Sequence, residues 1–200
     1  RLVSRSVATP PSTVVVGACS GIPAGAGDVW GNQNGNIAIG TNGGWVFATP
    51  AEGWRAWIMD EQFGFVHQNG DWQKEVLSSS PNGAGVRMVA DEFDHVLTAG
   101  TTNVLSQRIP QNVILFAASA RVISDLTGTL TSWSFGEGGQ SGKFGTGLGL
   151  PTGSYCNGML SQPTTYYAAA DLEIEPVGGD FTAGTLRVAL HYITIDLPGV

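Results

Sequence analysis

Basic side chains are scarce in this 200-residue chain. Nine Lys and Arg, scattered from Arg1 to Arg187, stand against sixteen Asp and Glu, a formal net charge of −7. Nucleic-acid binding draws most of its affinity from cations that neutralise phosphates. No basic stripe is present to supply them, so nucleic acid is not an expected partner. Charge of either sign is thin, at 12% of residues, against about a quarter in ordinary globular proteins. Cysteine is nearly absent. Cys19 and Cys156 lie far apart and belong to no CxxC motif, so they cannot make a four-thiolate metal site. A long-range disulfide is open to them, but buried free thiols are the expectation, since cysteine is among the most often buried residue types. No apolar run approaches the ~20 residues that span a bilayer, so membrane insertion is not expected. The opening Arg1-Leu2-Val3-Ser4-Arg5 lacks the apolar region of a secretory leader, and the first residue is Arg rather than Met. We expect a piece of a longer polypeptide.

What fills the gap is glycine, 29 residues of it, together with Ser, Thr and Asn. Such a chain has many positions able to take φ > 0 and suits short strands joined by tight turns. Hydrophobic residues, at 42%, are enough for a sizeable core. The aromatic residues divide the chain unevenly. Trp30, Trp45, Trp54, Trp57 and Trp72 fall early and only Trp133 lies beyond, which points to two modules with different cores.

In the first module Asn34-Gly35, Asn42-Gly43-Gly44 and Asn69-Gly70 punctuate short apolar runs. Asn-Gly between such runs signals a hairpin, because type I′ turns need φ > 0 at both central residues. Candidate strands are Asn36 to Ile39, Gly44 to Phe47, Ala56 to Asp60 and Phe63 to Gln68, a small β-meander over residues 1–76. The run Ser78-Ser79-Ser80-Pro81-Asn82-Gly83-Ala84-Gly85 has no periodicity, and residues 77–90 read as a linker. From 91 to 200 the runs lengthen. Asn112 to Ile123 is rich in Val, Ile, Leu and Phe and contains no Gly or Pro. In Thr185 to Leu197, Leu186, Val188, Leu190 and Tyr192 fall on one face and Arg187 and His191 on the other. Leu172 and Ile174 alternate with Glu173 and Glu175. The expected fold is all-β: an N-terminal meander followed by an antiparallel sandwich of jelly-roll type. Between its strands the Gly-rich stretch Gly136 to Gly153 reads as a long ligand-facing or flexible loop.

No motif selects a catalytic centre. Gly142-Lys143 is followed by Phe144 and preceded at 137 by Glu, which breaks the phosphate-loop pattern. Gly145-Thr146-Gly147-Leu148-Gly149 runs into Leu150-Pro151, not into a helix. His67, His95 and His191 show neither HxH nor HExxH spacing, and no GxSxG elbow is present. We therefore expect no metal, no cofactor and no catalytic residue. Glycan hydrolysis would need two carboxyl groups flanking the bond. Asp91-Glu92-Phe93-Asp94 and Asp60-Glu61 are dense in acids but nothing selects a pair, so a depolymerase is the third reading.

Outward aromatic rings are the other glycan signature, since a sugar lays its C–H face on Trp or Tyr while amides and carboxylates bond its hydroxyls. The candidates are Trp54, Trp57, Trp133, Tyr166 and Tyr167. Adjacent tyrosines in a strand face opposite sides, so one of that pair points outward. For the early tryptophans a core role is the competing reading.

The ordered set Leu2-Val3-Ser4-Arg5, Ala8-Thr9-Pro10-Pro11, Ile22-Pro23-Ala24-Gly25-Ala26, Gly43-Gly44-Trp45-Val46-Phe47, Pro50-Ala51-Glu52-Gly53-Trp54-Arg55-Ala56-Trp57, Asp60-Glu61 and Gly70-Asp71-Trp72 resembles a domain of unknown function. That domain occurs in tail-fibre-like proteins of alphaproteobacterial prophages and gene transfer agents. The region after it in such proteins is similar to Ala120-Arg121-Val122, Thr131-Ser132-Trp133-Ser134, Phe144 to Leu150, Tyr166-Tyr167 and Leu186 to Tyr192. Val14 to Ser20 departs from the pattern, with Cys19 where a more polar, acidic stretch belongs. The resemblance implies a virion or gene-transfer-agent fibre or spike component, exposed to the medium and homotrimeric. Its implied partners are other fibre subunits and a host capsular or envelope polysaccharide. A purely structural fibre module is the alternative.

Overall fold

The computed structural model describes residues 1–80 and 82–198. The chain divides into two compact units, the first Arg1–Glu75 and the second from Val76 onward.

The first unit holds two small antiparallel sheets rather than one meander. Strands β1 (Cys19–Gly21), β2 (Ile37–Thr41) and β3 (Gly44–Ala48) form one, and β4 (Arg55–Ile58), β5 (Phe63–Gln68) and β6 (Asp71–Lys74) the other. A single 3-10 turn, Asp28–Trp30, lies between β1 and β2. The hairpin signals act differently at each place. Asn69 (φ 54°) and Gly70 (φ 79°) both take the left-handed region between the paired Gln68 and Asp71, as a two-residue I′ turn requires. At Asn42-Gly43 the positive φ moves to Gly44, and Asn34-Gly35 sits in the loop before β2. Leu2, Ile37, Ile58, Phe65 and Trp72 make one buried cluster. Ile22, Trp30 and Ala38 make another, with Trp45 set edge-on to Trp30 at 5.2 Å.

The second unit is a sandwich. Its strands are β7 (Ser78–Ser79), β8 (Gly85–Val96), β9 (Asn103–Ile109), β10 (Val113–Gly128), β11 (Ser132–Glu137), β12 (Gln140–Leu148), β13 (Tyr155–Cys156), β14 (Met159–Tyr166), β15 (Ala170–Val177) and β16 (Phe181–Asp196). One sheet runs β13-β10-β16-β8-β7, with β14 also on β10, and the other β12-β11-β15-β9. Leaving aside the two-residue strands, eight remain, and in chain order the sheets read 6-3-8-1 and 5-4-7-2. That is the wrapped double Greek key of a jelly roll. Inward residues follow the period of two. Leu186, Val188, Leu190 and Tyr192 of β16, and Leu172 and Ile174 of β15, are buried, while Arg187 faces solvent.

Two expectations are corrected here. Residues 77–90 are not a linker. Ser78 and Ser79 pair with Val86 and Gly85, so β7 and the start of β8 are paired strands of the second unit. The Gly136 to Gly153 stretch is not a loop but mostly the β11–β12 hairpin. Its glycines allow close approach: a Cβ at Gly136 would lie 2.0 Å from the Gln140 carbonyl oxygen, and one at Gly145 2.7 Å from Cys156 Sγ. Register shifts between Trp133 and Phe135 and between Phe135 and Glu137 erase the alternation that would otherwise mark the strands. Cys19 and Cys156 are both free thiols, Cys156 buried and Cys19 half-buried.

Candidate functional site

The five candidate rings divide sharply. Trp133 is fully buried, and its Nε1 donates to the Gly149 carbonyl at 2.9 Å. A ring with no accessible face cannot stack on a sugar, so Trp133 is a core residue. Tyr166 is buried as well. Its hydroxyl donates to Glu137 Oε2 and accepts from Lys143 Nζ (2.9 Å), while Lys143 bonds Glu137 Oε1 at 2.6 Å. Burial, with the Glu137 carboxylate next, pushes the phenol far above its usual range. Tyr166 thus closes an internal polar triad and is not a ligand platform. Its neighbour Tyr167, just past β14, is 83% exposed.

Trp54 and Trp57 are each about half exposed, at 46% and 50%. Trp57 lies in β4, whereas Trp54 precedes the strand, so the two rings are not set on one regular strand face. Trp57 stands opposite Gly64. Beside it the Glu75 carboxylate lies across the glycine, where a Cβ would meet Oε2 at 2.6 Å, and pairs with Arg55 at 2.9 Å. The result is a flat ring beside a glycine and an ion pair.

The most developed surface lies on the outer face of the β10-β16-β8 sheet. Register places Arg121 beside Arg187 and Asp94, Ser119 beside Ala189 and Glu92, and Ala117 beside His191 and Ala90. At the edge Tyr155 pairs with Arg121 through β13. Because Ala189 is small, the sheet dips there into a shallow depression of about 200 Å³, lined by Glu92, Ser119, Arg121, Tyr155, Asn157 and Arg187. Tyr155 is 59% exposed and the Arg121 guanidinium lies 5.4 Å from its ring centre. Ser119 Oγ and His191 Nε2 share a hydrogen bond of 3.1 Å.

Charge is arranged unevenly across this face. Arg187 holds Asp94 with two bonds, at 2.7 and 2.9 Å, and this keeps the Asp94 carboxyl below its usual range. Arg121 has no carboxylate within ion-pair distance among the described residues. Its spare donors face the depression beside an aromatic wall. Sequence reasoning missed Tyr155, although Gly153-Ser154-Tyr155 and the following Asn157-Gly158 mark a turn-borne aromatic. The acids Asp91-Glu92-Phe93-Asp94 belong to strand β8. Glu92 and Asp94 share the outer face, and Asp91 lies 3.8 Å from Arg108. Glu61 is bonded to Arg5 at 2.6 Å.

Residues 1–73 match a family model described as a protein of unknown function (DUF2793). Curated proteins give no match to the chain. Among solved structures, one chain of a cyanophage Pam1 capsid asymmetric unit aligns at 17% identity with a TM-score of 0.36. It covers 61% of this chain and 94% of its own.

Proposed function

We propose that the chain is an attachment segment of a phage-type fibre or spike, and that it holds a host surface glycan against the outer face of its jelly-roll unit. The observation that carries this reading is the pairing of exposed Tyr155 with Arg121, a cation without a carboxylate partner among the described residues, over a floor made shallow by Ala189. An aromatic wall offers a sugar ring its stacking surface, and Arg121, Asn157, Ser119 and Glu92 offer both donors and acceptors to hydroxyls. Low charge and short, glycine-turned loops suit a recognition surface that stays soluble without ionic attraction. The site is shallow, so each contact is weak. A homotrimer would multiply it, since linked sites raise avidity by about 10²–10⁴ without new contacts.

Placement on a virion or gene-transfer-agent particle rests on the resemblance of both units to fibre-like proteins. The chain acts here by binding and not by cleavage, so the polysaccharide survives contact with it. The test is binding of the chain to encapsulated host cells, to the same cells stripped of capsule, and to a glycan array. Binding that Tyr155→Ala and Arg121→Gln each reduce about tenfold, one lost good contact, supports the proposal. Equal binding to both kinds of cell rejects the capsule as receptor. No binding to any glycan, or binding that ignores both substitutions, rejects the site and leaves a structural fibre module.

A further inference from the structure

Acidic groups outnumber basic ones in this chain, 16 to 9, so a cation finds a carboxylate easily. Five of the seven arginines do: Arg5, Arg55, Arg87, Arg108 and Arg187 each stand within ion-pair distance of one. Arg121, midway along β10, has none among the described residues. Its placement makes this costly. Alternation sends Ala120 and Val122 into the core and Arg121 outward, and register sets it directly opposite Arg187. Like charges facing each other across two strands are destabilising. Arg187 is relieved on its far side, where it holds Asp94 by two bonds and lies 3.8 Å from Glu92. Arg121 has no such relief. The row runs Tyr155, Arg121, Arg187, Asp94 across β13, β10, β16 and β8. Positive charge is thus balanced at the β8 end of the row and uncompensated at the β13 end. Glutamine at 121 would remove the repulsion and still offer hydrogen bonds, so packing alone does not call for arginine there.

An anion carried by the ligand would compensate Arg121. Its guanidinium lies over the Tyr155 ring, 5.4 Å from the centre, and its N–H donors lie in its own plane, free of the ring. They border the depression that Ser119 and Asn157 also line. The charge to be met is single. Glu92 lines the β8 side of the same depression, so a dianion such as a phosphate ester meets repulsion there. One planar carboxylate matches the guanidinium fork. We infer that the glycan held at this face is acidic: a hexuronic acid residue, with its carboxylate on Arg121 and its ring against Tyr155. The inference rests on the glycan reading of the same face and adds the chemistry of the sugar. The attraction is local, because a chain at −7 does not draw an acidic polymer in from a distance.

The experiment titrates the whole chain, labelled for amide and arginine side-chain NMR, to about 50 mM of each probe. The probes are the methyl glycosides of glucuronic and galacturonic acid, their neutral twins methyl glucoside and methyl galactoside, and glucose 6-phosphate as a dianion. At least one uronide is expected to move the Arg121 side-chain N–H and the Tyr155 and Asn157 amides saturably. It should bind about tenfold more tightly than its neutral twin, the worth of one charge-assisted contact, and added salt should erode that margin. Arg121→Gln should abolish the margin, read at Tyr155 and Asn157, without lowering the thermal midpoint, since it relieves the pairing with Arg187. A uronide and its neutral twin binding alike at this face overturns the inference and leaves the glycan reading standing. So does a margin that survives Arg121→Gln, a fall in that variant's midpoint, or tighter binding of the phosphate than of either uronide. No movement around Tyr155 with any probe removes the inference and the glycan reading together.

Discussion

Replacing Tyr166 by Phe removes one oxygen and leaves the ring. In the structure that oxygen closes the Glu137–Lys143–Tyr166 triad, donating to Glu137 Oε2 and accepting from Lys143. The surroundings are dry, with side-chain exposures of 11% for Glu137 and 13% for Lys143. Glu137 Oε1 keeps its ammonium partner at 2.6 Å, but Oε2 loses its donor. Hydrogen bonds to charged groups contribute roughly 1.5–3 kcal/mol, so Tyr166→Phe should lower the stability of the jelly-roll unit by about 2 kcal/mol. For a unit of this size that is a drop of about 6–10 °C in midpoint, read by near-ultraviolet circular dichroism or calorimetry. Tyr167→Phe, on the exposed neighbour, should move the midpoint by less than the scatter. The sign with pH follows from the raised phenol. The folded state favours the protonated hydroxyl, so this contribution is complete below the ordinary tyrosine value of 10.0 and fades as pH climbs above it. Wild type should therefore lose more stability than Tyr166→Phe between neutral and strongly alkaline solution. A Tyr166→Phe protein within about 0.5 kcal/mol of wild type, the scale of an ordinary surface change, would refute the buried triad.

Trp133→Ala should cost about 3–5 kcal/mol and melt the jelly-roll unit without selectively affecting sugar binding, whereas a ligand platform would lose affinity and keep its midpoint. The two thiols should separate on alkylation at mild alkaline pH. Cys19, half-buried, labels in the folded chain. Cys156 is buried, bonds the Phe144 carbonyl at 3.0 Å and is pushed up by desolvation, so it should label only on unfolding, as mass spectrometry would show. Gly136→Ala forces a methyl to within 2.0 Å of the Gln140 carbonyl oxygen. It should destabilise by at least the ~1–3 kcal/mol of ordinary overpacking, and an unchanged midpoint would contradict the β11–β12 packing.

Where one face of a strand is dry and the other wet, the fold was legible in the residues. β16 and β15 announce themselves because Leu186, Val188, Leu190, Leu172 and Ile174 are all interior, while Arg187, His191, Glu173 and Glu175 alternate with them on the other face. β8 hid because its outer face carries Glu92 and Asp94 and its other face Asp91 and His95, so neither reads as a core stripe. β12 hid because glycine, needed for close approach, carries no polarity signal at all. The same physics limits the site. Alternation implies that one of Tyr166 and Tyr167 turns outward, but choosing Tyr166 for the interior requires Glu137 and Lys143, which are distant in sequence. Trp133 gave no local hint either, because its burial depends on sheet β12-β11-β15-β9 as a whole. Tyr155 gains its meaning only beside Arg121, which pairing across β10 and β13 brings to it.

Strand β16 runs between β8 and β10, and every residue of β8 has its sheet partner on it. On a ribosome, β8 and β10 therefore emerge long before the segment that must lie between them. Until Phe181–Asp196 is delivered, two long strands wait with bare hydrogen-bonding edges, and the loops to be closed span most of the unit. Assembly of such a sheet is slow, because contacts of high sequence separation require loop closure before they yield any stabilisation. The interval is when stray pairing with a neighbouring nascent copy is easiest, so the yield of correctly folded chain depends on the timing of release as well as on the finished packing.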